Sequence, residues 1–180
     1  VFLDKARNKL ETRTTGNTYD QSGKTVDGLL RTRAEISQYV LVEIKTHHTP
    51  LLRSGKPYRA GCWGVSDDVS NAVTQIQKTT WEFARTRFRS QLKDAAGKDL
   101  DESVYAVEPR SFLVIGNLSE LAGNDDKVAC FELYRRNVRA PEILTFDELY
   151  HRAQFIVANL AGKAPESPAV ADAQDDDIPF

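Results

Sequence analysis

The stretch Tyr39-Val40-Leu41-Val42-Glu43-Ile44-Lys45 decides how the rest of this chain is read. Its apolar, β-favouring run predicts a buried strand, and the triplet that closes it carries two ionisable groups. Strand alternation puts Glu43 and Lys45 on one face and Ile44 on the other, so the carboxylate and the amine look into the same space. Taking that carboxylate out of water costs several kcal/mol unless something compensates it. A divalent cation does so, and so does a plain Glu–Lys pair at a strand end; the triplet alone leaves both readings open.

An upstream acid adds to the pattern. Asp27 closes Thr25-Val26-Asp27, just ahead of Gly28-Leu29-Leu30. If residues 25–33 and 38–46 pair as a hairpin, Asp27 brings a second carboxylate to Glu43. One oxygen from each acid and the Ile44 carbonyl make a set of hard donors suited to Mg²⁺, with Mn²⁺ as an alternative occupant. Lys45 beside them is placed to orient or deprotonate a water, the chemistry of metal-dependent phosphodiester hydrolysis. A second acid-x-Lys, Asp125-Asp126-Lys127, follows Gly123-Asn124 with no strand before it and is read as a solvated turn.

Composition bounds the rest. With 180 residues, 41% of them apolar, the chain suffices for one compact domain, expected over residues 1–162. The net charge of −2 hides an asymmetry: Glu166, Asp172, Asp175, Asp176 and Asp177 lie in a segment without bases, and the body before it is basic. Such a body can approach a polyanion such as DNA. Cys62 and Cys130 are too few for a disulfide framework and too far apart for a zinc motif, which fits a cytoplasmic protein. No apolar run approaches the roughly 20 residues of a membrane span, so no membrane partner is expected. Beginning at Val1 and lacking Met, the chain is expected to be a piece of something longer.

Phe2, Leu3, Ala6 and Leu10 predict a helix over residues 2–12, and a weak strand is expected near Thr18-Tyr19. Thr49 to Gly64, with its Pro and Gly residues and with Arg53, Lys56 and Arg59, reads as a basic, mobile loop. Val69, Ala72, Val73, Ile76, Thr80, Phe83 and Ala84 share one face of a long helix starting near Asp67 or Asp68. Ser111-Phe112-Leu113-Val114-Ile115 predicts a strand covered on both sides. A helix over about 127–136, a short segment Glu142-Ile143-Leu144 and a last helix follow. Thr145 and Glu148 form a capping-box pattern at that last helix, with Phe146, Leu149, Ala153, Ile156, Val157 and Leu160 expected inside. Residues 163–180 lack periodicity and are expected to be a disordered acidic tail. The fold class implied is α/β, a mixed central sheet flanked by helices.

This order of elements, with Asp27 and Glu43-Ile44-Lys45 in place, resembles the PD-(D/E)xK nuclease superfamily, whose restriction-endonuclease-like core is therefore expected; Val26 stands where the motif is often written with Pro. Closer still, Val42-Glu43-Ile44-Lys45-Thr46, Asn71-Ala72-Val73-Thr74-Gln75-Ile76, Phe112-Leu113-Val114-Ile115-Gly116 and Ile143-Leu144-Thr145-Phe146-Asp147-Glu148-Leu149 resemble the nuclease domain of the Shedu anti-phage defence proteins. The resemblance implies a Mg²⁺-dependent DNA endonuclease with catalytic Asp27, Glu43, Lys45 and Gln75, and basic residues that track a DNA backbone would give it little sequence specificity. It also implies a homo-oligomer, a tetramer or a dimer, and an N-terminal regulatory half beyond this chain. Read from sequence alone, Gln75 is an ordinary polar residue beside the packed stripe.

Arg53, Lys56 and Arg59, with Arg85 and Arg89 one turn apart on the long helix, are candidate phosphate contacts, though a solvated face explains the last two as well. His47 and His48 read as loop-entry or DNA-contacting residues, at most one of them joining the site. The closing residues Asp175-Asp176-Asp177-Ile178-Pro179-Phe180 match the tip of bacterial single-stranded DNA-binding proteins, which implies a peptide docking on partners of such tips; a fold-back inhibitor of the basic groove and a grafted segment are the other readings of this tail. The rival to the enzyme is an inactive nucleic-acid-associated adaptor that works through this tip.

Overall fold

A computed structural model describes residues 3–5, 12–13, 25–32, 34–86, 89–93 and 99–160. The deciding stretch is a strand within it. In chain order the strands are β1 (Leu3–Lys5), β2 (Thr12–Arg13), β3 (Thr25–Val26), β4 (Gly28–Thr32), β5 (Ser37–Ile44), β6 (Arg89–Lys93), β7 (Asp99–Val114) and β8 (Glu142–Leu144). The helices are α1 (Asp67–Thr86), α2 (Asp125–Asn137) and α3 (Phe146–Leu160), with a 3₁₀ turn at Leu118–Leu121.

The main sheet runs β1-β4-β5-β7-β6, and β8 also pairs with β7; β2 and β3 form a separate pair. β4 and β5 are the expected hairpin, antiparallel with Gly28 opposite Val42 and Leu30 opposite Val40. β7 lies parallel to β5 and to β8 but antiparallel to β6, so the sheet is mixed and the fold is α/β. β7 is far longer than its apolar end predicts. Its first part pairs with β6 and its last part with β8, which lets one strand join two neighbours on the same side.

α1 carries the link from β5 towards β7 and lies on the face that Tyr39, Leu41 and Glu43 share. Its buried stripe is Val69, Ala72, Val73, Ile76, Thr79 and Phe83, with Thr79 more deeply buried than the expected Thr80. One end of the stripe packs with Leu113, Ile115, Ile143 and Phe131 of α2. The other packs with Val26, Leu29, Tyr39, Leu41 and Val104, including an edge-on contact between the Tyr39 and Phe83 rings at 5.0 Å. The helix begins where Ser66 Oγ accepts the Val69 N–H at 3.0 Å, so Ser66 is its cap and Asp67 and Asp68 fill the first turn, where their charge suits the helix dipole.

Several expectations are corrected. Leu3–Lys5, placed in a helix over residues 2–12, is a strand paired to β4 with Leu3 opposite Thr32, and Thr12–Arg13 pairs with β3. Ladder bonds to a distant strand outweigh a helical spacing of only a few apolar residues. Asp125-Asp126-Lys127 is not a turn but the first turn of α2, capped by the Asn124 side chain, which accepts the Lys127 N–H at 3.0 Å. Arg89 is not on the long helix: α1 ends at Thr86, and Arg89 opens β6 opposite Tyr105. The strand expected near Thr18-Tyr19 and the tail over 163–180 lie outside the described residues.

The chain divides into two compact units, residues 1–147 and 148–180. In the second, the stripe expected inside is not buried: Leu149, Ile156, Val157 and Leu160 of α3 are exposed, and so are Tyr150 and Phe155. Among the described residues no helix is long and apolar enough to cross a membrane.

Candidate active site

β5 carries the site, and its register with both neighbours sets which of its residues share a face. Leu41 and Leu113 are fully buried, and Glu43 stands opposite Leu113 in the β5–β7 ladder, so its carboxylate is held among apolar neighbours at 4% exposure. A one-residue slip would turn Leu41 and Glu43 to the other face together, which the packing forbids. Ile44 faces that other side and is exposed.

Three side chains meet over the end of this strand. Lys45 Nζ donates to Glu43 Oε1 at 2.7 Å and to Gln75 Oε1 at 3.2 Å. Gln75 Nε2 donates to the same Glu43 oxygen at 2.7 Å. Glu43 Oε1 thus takes two donors, one of them charged, which offsets the cost of its burial. Its Oε2 has no donor among the described residues. Both held groups come from rigid elements, a strand and a helix packed on it.

Asp27 occupies the bend between β3 and β4, so the segment expected as one strand is broken where the acid stands. The β4–β5 register, extended by one step from Gly28 opposite Val42, sets Asp27 opposite Glu43. Asp27 Oδ2 accepts the Ile44 N–H at 2.7 Å. The Lys45 N–H turns the other way, to the Val114 carbonyl at 2.8 Å. Since the N–H and C=O of one strand residue point to the same side, the Ile44 carbonyl is directed towards the Asp27 side. The structure therefore brings Asp27, Glu43, Ile44, Lys45 and Gln75 together at the end of β5.

This donor set fits a hard divalent cation. It offers the second oxygen of Asp27, Glu43 Oε2 and the Ile44 carbonyl, all oxygen and two of them anionic. Among the described residues there is no cluster of three or more His, Cys, Asp or Glu, so waters and a ligand would complete the coordination. Mg²⁺ tolerates that arrangement, because it keeps several waters.

The loop that follows β5 is built rather than slack. Glu120 accepts the N–H groups of Leu51 and Leu52 at 2.7 and 3.1 Å, Ser66 Oγ donates to the Pro50 carbonyl at 2.6 Å, and Leu52 pairs with Val65. Sequence reading missed Glu120 and Ser66, since neither has a local signal for a partner so far along the chain. Gly116, two residues beyond β7, has φ +65°, and an added Cβ would meet the Thr49 carbonyl at 2.7 Å and Leu51 at 2.5 Å; only glycine lets the chain leaving that strand touch the loop.

The candidate cations are dispersed. Arg53 is paired with Asp67 at 2.8 Å with both side chains exposed. Lys56 and Arg59 are exposed on the loop, and Arg59 lies 5.6 Å from the Tyr58 ring centre. Arg85 and Lys78 flank the Trp81 ring on the outer face of α1. His47 and His48 are exposed and stack on each other at 3.7 Å, with His47 6.0 Å from Phe146; neither bonds to Glu43 or Lys45. The residues Asp175 to Phe180 lie outside the described part.

Two comparisons bear on this arrangement. The family model described as "Shedu protein SduA, C-terminal" matches residues 2–150. The Shedu protein SduA of Bacillus cereus (strain B4264) is 31% identical over 147 residues, which cover 79% of this chain and 37% of that protein. The chain thus spans well under half the length of this curated relative.

Proposed function

The chain belongs to the Shedu SduA family, and from that premise we propose that it is a Mg²⁺-dependent DNA endonuclease domain acting in bacterial anti-phage defence. One observation carries the reading. Glu43 is buried with one oxygen clasped by Lys45 and Gln75, its other oxygen has no donor among the described residues, and Asp27 is bonded to the amide of Ile44, the next residue along the strand. A plain Glu–Lys pair accounts for the first oxygen but gives no reason for a second acid and a strand-end carbonyl beside it.

Asp27, Glu43 and Ile44 would hold the cation, which supplies Lewis-acid polarisation of the phosphoryl oxygen and a more acidic water. The protein does the rest. Lys45, fixed by two hydrogen bonds, presents its ammonium next to the attacked phosphorus and offsets the charge that builds there. Gln75 holds Lys45 and Glu43 in register, so the geometry is set before substrate arrives. Arg53, Lys56 and Arg59, with Arg85 and Arg89 further along, supply charge for backbone contacts that do not read sequence. Assembly as a dimer or tetramer and docking of the Asp175–Phe180 tip on partner proteins belong to the same proposal.

The test uses circular and linear DNA with Mg²⁺ and then with EDTA, for the protein and for Lys45→Ala. Cleavage that needs the metal and disappears in the folded, DNA-binding variant supports the enzyme. Cleavage retained by Lys45→Ala removes the assignment, and DNA binding without cleavage by the unsubstituted protein favours an adaptor.

A further inference from the structure

The excursion between Arg53 and Gly64 lines a half-open cavity of about 480 Å³, within the range of small-ligand clefts. Trp63, Tyr58, Lys56 and Arg53 are among the residues that line it. Tyr58 is 83% exposed, unusual for a large ring on a well-tied segment. The segment is tied at both levels: Arg53 N–H to the Gly64 carbonyl at 2.9 Å, and Tyr58 N–H to the Cys62 carbonyl at 3.0 Å. Cys130 of α2 fastens the tip, its sulfur accepting the Trp63 N–H at 3.3 Å and donating to the Gly61 carbonyl at 3.4 Å. The backbone that carries the two rings is therefore held, and Lys127 and Arg59 lie 4.8 and 5.6 Å from the Trp63 and Tyr58 ring centres.

We propose that this cavity takes one unpaired nucleotide of a DNA strand, its base stacked on Trp63 and Tyr58 and its phosphate against Lys56. The chemistry selects the occupant. Flat aromatic faces bind any base through its π-face, and they occur together with cations where unpaired nucleic acid is held. Lys56 and Arg59 have no carboxylate partner among the described residues, so their charge is available to a phosphate. A purely apolar peptide would leave those cations unanswered. Eight residues, 45–52, separate the end of β5 from this excursion, and the proposal takes the strand seated here to be part of the DNA bound at the end of β5. The inference rests on the nuclease reading and narrows its substrate to DNA with an unpaired segment or frayed end.

Trp63 and Trp81 are the two tryptophans, so Trp81→Phe leaves Trp63 as the sole indole reporter. This protein is titrated in EDTA with an oligothymidylate, with an abasic oligonucleotide of equal length and with a blunt duplex. Expected are quenching of Trp63 by the oligothymidylate, binding of the abasic strand about tenfold weaker, and no quenching by the duplex. Tyr58→Ala in the same background loses about tenfold in oligothymidylate binding while Tyr58→Phe does not. Equal binding of the abasic strand, or quenching by the duplex as strong as by the oligothymidylate, overturns the proposal. Because cleavage is suppressed throughout, these outcomes stand apart from the Mg²⁺ test, whose failure would leave Trp63 quenching intact.

Discussion

Gln75 Nε2 donates to Glu43 Oε1 at 2.7 Å across 32 positions of sequence, so the middle of α1 is bonded to the end of β5 at the point where the acid is buried. The bond joins the helix stripe to the strand and fixes which rotamer of Glu43 the site contains. Hydrogen bonds to a charged acceptor contribute about 1.5–3 kcal/mol, enough to hold a geometry that apolar packing alone leaves free.

Gln75→Ala is expected to keep the fold and the DNA affinity while metal-dependent cleavage falls about 100-fold, because Lys45 loses one of its two partners and wanders. Melting curves, DNA binding and single-turnover cleavage are measured together. Cleavage within twofold of the unsubstituted protein would return Gln75 to an ordinary flanking polar residue.

Asp27→Asn keeps an oxygen to accept the Ile44 N–H, so its stability without metal should stay within about 1 kcal/mol of the original. It loses the anionic donor, so the rise in melting temperature that Mg²⁺ or Mn²⁺ produces by binding the native state should shrink sharply. An unreduced rise excludes Asp27 from the cation.

Gly116→Ala forces an L-residue to φ +65° and drives its Cβ into the Thr49 carbonyl and Leu51. Left-handed strain and overpacking each cost about 1–3 kcal/mol. Urea denaturation should show a loss of at least about 2 kcal/mol, and a loss below 0.5, roughly the range of neutral surface changes, would mean the loop is not pressed on the strand end.

Removing the loop cations should weaken DNA binding at all sequences alike. If Arg53, Lys56 and Arg59 each meet a phosphate, each substitution to Ala lowers the slope of log affinity against log salt by about 1. Arg53 already pairs with Asp67, so the smallest change is expected there. A slope unaltered in the triple variant would assign DNA contact to another surface.

Glu120→Ala leaves the N–H groups of Leu51 and Leu52 without their acceptor beneath the loop. A buried donor left unpaired costs about 1–3 kcal/mol. The loss should appear as faster hydrogen exchange confined to the loop after β5, and protection equal to the original would show that water replaces the carboxylate at no cost.

Much of this was legible before any coordinates. The apolar run and its closing triplet specify β5 and its two faces, the stripe from Val69 to Phe83 specifies α1, and the spacing of Asp27 from Glu43 fits the hairpin that forms. These are local periodicities, and burial of one face enforces them. Where local signals are weak, the reading failed. Arg89–Lys93 is too polar to announce β6, and Leu3–Lys5 has a helical spacing yet pairs with β4.

The sequence by itself determined which residues are the candidates for chemistry at the end of β5 and which faces of β5 and α1 are apolar, because side-chain type and period are written along the chain. Only the tertiary structure decided that Gln75 reaches Glu43, that Asp27 turns to the Ile44 amide and that Glu120 holds the loop. Each of those depends on bringing together segments far apart in sequence, and such closure is set by the packing of the whole core rather than by any local pattern.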